Sequence, residues 1–330
     1  MALIKDLWTR IEQRMWCWTR TWIRRLRETG MPPVPSRGPS KLLPGSFLIQ
    51  AMCSSNGPRT VPLSYKLLEG RNSHPPLVFL HGLLGSKINF ESEAKALAEQ
   101  TGRKVLTLDA RNHRDSPSDP DCSYEAMSAD VEALLLKLGL APCVLIGHCM
   151  GGKIAMVLAL QKPELVERLI SLDVSPTMTT AFPEALTYIE TMKSLKIPKE
   201  LSFSKAQQLA DEQLSQIIQD PIIRQYLLNN LIMVDGQYMW KVNSEVLSQQ
   251  VDNIMDFPQI QGSYSGPTLF LRGADSLVIQ PHHYPEIKRL FPQAQILTIP
   301  KAGHWIHVDQ PRDFLTSILN FLSPLPTFQL

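Results

Sequence analysis

Residues 142–160 read PCVLIGHCMGGKIAMVLAL, and this stretch decides the architecture. Pro142-Cys143-Val144-Leu145-Ile146 is a short apolar, β-branched run of the kind that forms a buried strand. Lys153 to Leu160 contains no breaker and predicts a helix ending near Pro163. Between them, Gly147-His148-Cys149-Met150-Gly151-Gly152 has to turn sharply from strand to helix. Such a turn strains the backbone of its central residue and needs small neighbours, which Gly147 and Gly151 supply. It lifts the Cys149 side chain to the top of the sheet and aims backbone N–H groups at the same spot. The expected product is a presented nucleophile, with a thiol as the reactive group.

Working outward, Leu77-Val78-Phe79-Leu80, Lys104 to Leu108 and Arg168 to Leu172 predict further strands, with helices over Glu91 to Gln100 and Tyr124 to Leu138 between them. This alternation predicts an α/β fold, a mostly parallel central sheet with helices on both faces and right-handed crossovers. Past Pro176 the pattern changes. Residues 177–262 carry Leu186, Ile189, Met192, Ile217, Ile218, Ile222, Leu227 and Leu228 at helical spacing, with no clear strand. Strands resume at Thr268–Leu271 and Gln295–Ile299, ahead of a final helix from Gln310 to Leu322. The expected organisation is a core in two parts, 47–176 and 263–330, interrupted after its sixth strand by a helical cap over 177–262. Leu186, Ile189, Met192, Leu227, Leu228 and Ile232 are expected to roof the site and to favour an acyl chain.

Composition bounds the function. A chain of 330 residues, 44% hydrophobic and 19% charged, can bury one large core with an insertion. A net charge of +2 offers no electrostatic basis for binding nucleic acid. Cys17, Cys53, Cys122, Cys143 and Cys149 show no paired spacing and no C-x-x-C, so no disulfide framework and no metal site are expected. No run of apolar residues is long enough to predict a transmembrane segment.

The first 46 residues stand apart as a leader and linker. Ile4, Trp8, Ile11, Met15, Trp18, Trp22 and Leu26 fall on one helical stripe, and Arg10, Arg14, Arg20, Arg24 and Arg25 on the other side. A basic amphipathic helix followed by a Pro/Ser/Gly-rich stretch has the form of a mitochondrial presequence, although Asp6, Glu12 and Glu28 are unusual in one.

A nucleophile needs a base within hydrogen-bond reach. The best candidate is His304, in Ala302-Gly303-His304-Trp305, on the loop after the last strand and at the carboxyl edge of the sheet. His282 and His283 read as solvated, and His307 as a cap on the next helix. His81-Gly82-Leu83-Leu84-Gly85-Ser86 follows a strand, so the Leu83 and Met150 backbone N–H groups are candidates for an oxyanion hole. The acid that orients the base is open on spacing alone. Asp173, Asp275 and Glu245 all lie between nucleophile and histidine in chain order.

Taken together, HGLLGS at 81–86, DARNHRDSP at 109–117, GHCMGGK at 147–153, LDVSP at 172–176, HHYPEIKRLFP at 282–292 and AGHWIH at 302–307 resemble the α/β-hydrolase fold. The resemblance covers about residues 60–322 and is nearest to the α/β-hydrolase domain-containing protein 11 group, also described as sn-1-specific diacylglycerol lipases. It implies hydrolysis of an acylglycerol or another acyl ester, no cofactor, a mitochondrial matrix location and association with the 2-oxoglutarate dehydrogenase complex. It implies Cys149 as nucleophile and His304 as base. For the acid, related bacterial esterases point to Asp173, the closer group points to the neighbourhood of Glu245, and the loop holding Asp275 commonly lacks an acid. Asp173 is the favoured assignment.

The resemblance breaks at one position, because the family's nucleophile is serine. A thiol attacks readily, but the resulting tetrahedral intermediate expels thiolate far more easily than alkoxide. The larger sulfur also shifts the carbonyl away from donors placed for oxygen, and one lost donor costs roughly 100- to 1,000-fold. Three functions are therefore expected as alternatives: a Cys-His-Asp hydrolase, a thioesterase or acyltransferase, and a weakly active or inactive pocket that binds an acyl ligand or a protein complex.

Overall fold

A computed structural model of the chain describes residues 57–182 and 184–323. The predicted leader, the first ten residues of the predicted core and the last seven residues lie outside the described residues. The chain enters through β1 (Tyr65–Leu68) and β2 (Leu77–Leu80), then α1 (Glu91–Thr101), β3 (Val105–Leu108) and α2 (Tyr124–Leu138). β4 (Cys143–His148) leads through the sharp turn into α3 (Met150–Gln161), followed by β5 (Val166–Leu172).

These strands pair with two later ones, β8 and β9 (Thr268–Gly273 and Ala294–Ile299), in a seven-stranded sheet of order β1-β3-β2-β4-β5-β8-β9. All pairings are parallel except β1 on β3, an antiparallel edge that the sequence reading passed over. β2, β3 and β4 are buried along their whole length, as expected of strands covered on both faces. α3 is buried from Met150 through Ala159, which is why its sequence is apolar all round rather than amphipathic. α2 starts on Ser123, whose side chain accepts the Ala126 N–H, and stops at Gly139 with φ 62°.

The insertion between β5 and β8 holds α4 (Ala185–Ser194), α5 (Phe203–Ser215), α6 (Pro221–Leu228) and α7 (Ser244–Met255). It departs from expectation in two ways. It is not purely helical, because β6 (Leu231–Val234) and β7 (Gln237–Trp240) form an antiparallel hairpin. The turn residues Asp235 and Gly236 both have positive φ, 50° and 75°, the type I′ signature of an Asp-Gly pair. Among the described residues it also follows the fifth strand, not the sixth, since only β1 precedes β2. The chain closes with α8 (Tyr284–Leu290), a short α9 (Ile306–Asp309) and α10 (Pro311–Leu322).

Buried polar groups tie the pieces together. Arg111 and Asp130 form a two-pronged pair at 2.7 and 2.8 Å, and Asp130 also accepts the Val61 N–H at 2.7 Å. The Arg111 Nη1 donates to the Asp121 carbonyl, and Nη2, besides Asp130, donates to the Arg59 and Ala126 carbonyls. Removing one partner strands a buried charge, so Asp130→Ala is expected to cost about 3–5 kcal/mol of stability. Denaturant unfolding checks this, and a loss under about 1 kcal/mol would refute the pair's structural role. The cap is held by Lys153, whose ammonium donates to the Met255 and Asp256 carbonyls at 2.7 and 2.9 Å at the end of α7. Asn230 donates to the Leu84 carbonyl at 2.7 Å, anchoring the end of α6 to the loop after β2.

Candidate active site

The sheet order decides where the chemistry gathers. Cys149 follows β4, Asp173 follows its neighbour β5, and His304 follows β9 beyond β8, so all three stand at carboxyl ends of parallel strands. That edge is where ligands bind in open α/β sheets.

Cys149 has φ 52° and ψ −119°, a conformation a non-glycine residue adopts only when its surroundings hold it there. Those surroundings explain the glycines. A Cβ on Gly147 would strike the Gly151 carbonyl, and one on Gly151 would strike the Leu80 carbonyl. The Cys149 N–H donates to the Leu172 carbonyl at 3.2 Å, fastening the turn to β5.

His304 sits against Cys149, and its Nδ1 donates to Asp173 Oδ2 at 2.8 Å. The carboxylate is fully buried and also accepts the Ser276 hydroxyl at Oδ2 and the Gly273 N–H at Oδ1, 3.1 Å away. Asp173 has φ 49°, a turn at the end of β5 that points its side chain across β8 toward the β9 loop. The other two acids are elsewhere. Glu245 is exposed in the first turn of α7, paired with Lys193 at 2.9 Å and bonded to Gln249. Asp275 is exposed, and only its backbone N–H is engaged, with the Ala302 carbonyl.

Electrostatics follow from this geometry. Burial opposes charge on His304, but its bonds to Asp173 and Cys149 outweigh burial and raise its pKa to about 9. Burial also opposes ionisation of Cys149, but the His304 bond and charge, then Lys153 and the Met150 N–H, bring the thiol below its ordinary value. Both shifts favour passing the Cys149 proton to His304. Alkylation of Cys149 by iodoacetamide is therefore expected to set in at a lower pH than for an ordinary thiol, and to lose its His304-dependent advantage above about pH 9. A rate that simply tracks an unperturbed thiol near pH 8.5 would refute the lowering of the thiol.

Sequence reasoning missed a set of buried histidines that hold the loops. His148 lies ring to ring with His304, centroids 4.5 Å apart, and its Nε2 donates to the His304 carbonyl at 3.0 Å. His81 donates from Nδ1 to the Gly82 carbonyl at 2.8 Å and accepts the Ala110 N–H at Nε2. His113 accepts the Leu84 N–H and donates to the Arg111 carbonyl. Burial lowers His81 to about 4 and His113 to about 3, so both are neutral single tautomers. Because a peptide N–H points opposite to its carbonyl, holding the Gly82 oxygen turns the Leu83 N–H the other way. No acceptor among the described residues takes that N–H. Leu83 lines the same cleft as Cys149, and Met150 opens α3 directly after it, so both predicted oxyanion donors lie beside Cys149. The signal for these roles was the His-Gly pair at 81–82 and His148 inside the elbow, but their partners are remote in sequence.

His307 is not a helix cap. It is buried against Phe90 and Phe314, and burial beside His304 holds it neutral, at about 3. His282 is exposed, whereas His283 is half-buried and accepts the Gln280 N–H.

A narrow cleft leads to Cys149 and His304, walled by Leu83, Phe182, Tyr188, Ile223, Tyr226 and Trp305. Of the apolar residues expected to form the roof, Leu227 reaches the cleft. Ile189, Met192 and Leu228 are buried in the hydrophobic core, Leu186 is exposed, and Ile232 faces a different groove. The Tyr226 hydroxyl donates to the Leu83 carbonyl at 3.1 Å, so α6 touches the loop after β2 directly. Among the described residues no cluster of three His, Cys, Asp or Glu side chains is arranged for a metal, and no helix is long and apolar enough to cross a membrane.

Residues 75–212 and 235–311 match the family described as alpha/beta hydrolase fold. The chain belongs to that family, and by fold and site it is a carboxylic-ester hydrolase. Within the family it is 55% identical over 265 residues to the mouse sn-1-specific diacylglycerol lipase ABHD11, covering 80% of this chain and 86% of that one. The zebrafish protein of the same name is 50% identical over 264 residues, covering 80% and 83%. A solved structure, a marine microorganism esterase, superimposes with a TM-score of 0.73 at 35% identity, covering 80% of this chain and all of that one.

Proposed function

We propose that the protein hydrolyses lipid esters of the acylglycerol type through a covalent acyl-enzyme on Cys149. The observation that carries this is the contact of Cys149 with a His304 that Asp173 orients, at the floor of an apolar cleft. The Cys149 thiolate attacks the ester carbonyl, and the Leu83 and Met150 N–H groups take up the oxyanion. The His304 imidazolium gives its proton to the departing alkoxide. Water then enters, His304 takes its proton, and the thioester is hydrolysed to the free acid with the thiolate restored.

The test is to incubate the full chain with monoacyl- and diacylglycerols and to follow released fatty acid together with intact protein mass. Fatty acid release with a transient acyl adduct supports hydrolysis. Neither product nor adduct overturns it. A second reading, an acyl-binding protein with little turnover, is favoured by the thiol itself, and it predicts an adduct that persists for hours.

The basic amphipathic segment supports import into the mitochondrial matrix, where an association with the 2-oxoglutarate dehydrogenase complex is proposed to follow from the group's character. A fusion of residues 1–46 to a fluorescent protein should enter mitochondria, and a cytosolic signal would remove the case for import. Co-purification of the dehydrogenase with the tagged full chain, absent from a mock purification, tests the association.

A further inference from the structure

We infer that the substrates best matched to this site are acyl thioesters rather than oxygen esters. The inference rests on the acyl-enzyme reading and deepens it by naming the bond that is cut. In a serine enzyme the attacking and leaving groups of an ester are both oxygens of similar basicity. Here the attacking group is sulfur, set against a His304 that Asp173 orients in the same cleft. The tetrahedral intermediate it forms on an alkyl ester carries one thiolate and one alkoxide, and it returns to reactants unless the alkoxide is protonated as it departs. On a thioester the two candidates for expulsion are both thiolates, so forward collapse competes on equal terms.

The walls of the cleft bear on the same point. His304 is the acid placed against Cys149, and of the other described residues lining the cleft only two tyrosines carry an acidic proton; burial, then Glu184 and Asp220, hold the Tyr188 phenol above its ordinary value. Tyr226 lines it too, but its hydroxyl is committed to the Leu83 carbonyl, and burial followed by the Cys149 charge holds its phenol above its ordinary value. The charged Lys153 is spent on the Met255 and Asp256 carbonyls. A departing alkoxide therefore depends on the His304 proton, which the contact with Asp173 makes harder to release. A departing thiolate is weakly hydrated, fits an apolar cleft and needs that proton least.

The step balances. The Cys149 sulfur forms a bond to the acyl carbon, the carbon–sulfur bond of the substrate breaks, and the leaving thiolate keeps the electron pair and takes the proton from His304. Neutral His304 then removes a proton from water, the hydroxide adds to the acyl carbon, and Cys149 leaves as thiolate. The sum is thioester plus water giving acid plus free thiol, with no oxidant or reductant.

The test uses the full chain and one acyl group on two leaving groups, ethyl butyrate and S-ethyl thiobutyrate, with butyrate measured by chromatography. Hydroxide cleaves these two at similar rates, so a preference belongs to the protein. The expected result is a kcat/KM at least about 100-fold higher for the thioester, a difference of about 2.7 kcal/mol in barrier. Cys149→Ser should shrink that ratio at least about tenfold. Equal rates, or a ratio unchanged by Cys149→Ser, overturn thioester preference and leave ester hydrolysis standing. If Cys149→Ser does not fold, single-turnover mass analysis of the native chain decides: a butyryl adduct forming much faster from the thioester supports the inference, and equal rates overturn it. No product and no adduct from either compound sinks both this inference and the acyl-enzyme reading beneath it.

Discussion

Cys149→Ala is expected to lower the turnover of an activated aryl ester by about 10³-fold or more, with the fold unchanged. An aryl ester is the right probe because its good leaving group removes the alkoxide problem and leaves attack as the demanding step. Its side chain is half-buried and lines the cleft, so alanine removes the sulfur without opening the core. Alanine does have to occupy φ 52°, the same strained conformation, so any change in melting temperature should be small. What vanishes is the nucleophile and, with it, the charge that helps raise His304. The His304 pKa should fall accordingly, which NMR titration of the ring would register. Residual activity above a tenth of native, with thermal stability intact, would mean that the ester is cut somewhere other than at Cys149.

Asp173→Asn should lower kcat/KM by about 10³-fold, a little less than the cost usually met in serine triads. The reason for the smaller figure is that a thiolate already supplies His304 with a counter-charge, so the acid's share is orientation more than charge. Asparagine keeps the shape but brings two N–H donors into a place where Gly273, Ser276 and His304 all donate. At least one of these loses its acceptor, and a stability loss of about 1–3 kcal/mol follows. Glu245→Gln is the internal control. That side chain is exposed and paired only with Lys193 and Gln249, so its activity should stay native. A native rate in Asp173→Asn together with a collapse in Glu245→Gln would reverse the assignment.

The parts legible in the sequence were those whose partners are close along the chain. The elbow is one contiguous strand, turn and helix, and its glycines are demanded by contacts within a few residues and with the adjacent β2. His304 was legible because a loop after a late strand can open only at the carboxyl edge. Buried parallel strands announce themselves as unbroken apolar runs. The hairpin in the cap carried its own signal, Asp235-Gly236 between LIMV and QYMW, and was passed over because four helical stretches surround it.

What sequence could not supply was the set of contacts that bridge distant segments. Three acids satisfied chain order equally, and only the register of β5 beside β8, with the positive φ of Asp173, brings one carboxylate to His304 Nδ1. The same holds for His81 on Gly82 and Ala110, His113 on Leu84, and Ser276 on Asp173. Apolar periodicity likewise marked the cap helices without saying which face looks down. Leu227 lines the cleft while Ile189 and Met192 bury elsewhere, because helix faces are assigned by what packs against them and not by spacing. The sequence by itself determined the fold and singled out Cys149 and His304, since each follows from local backbone and side-chain chemistry. The tertiary structure brought Asp173, and not Asp275 or Glu245, to His304 and set the width of the cleft, since a hydrogen bond at 2.8 Å between residues 131 positions apart exists only once the sheet has set them side by side.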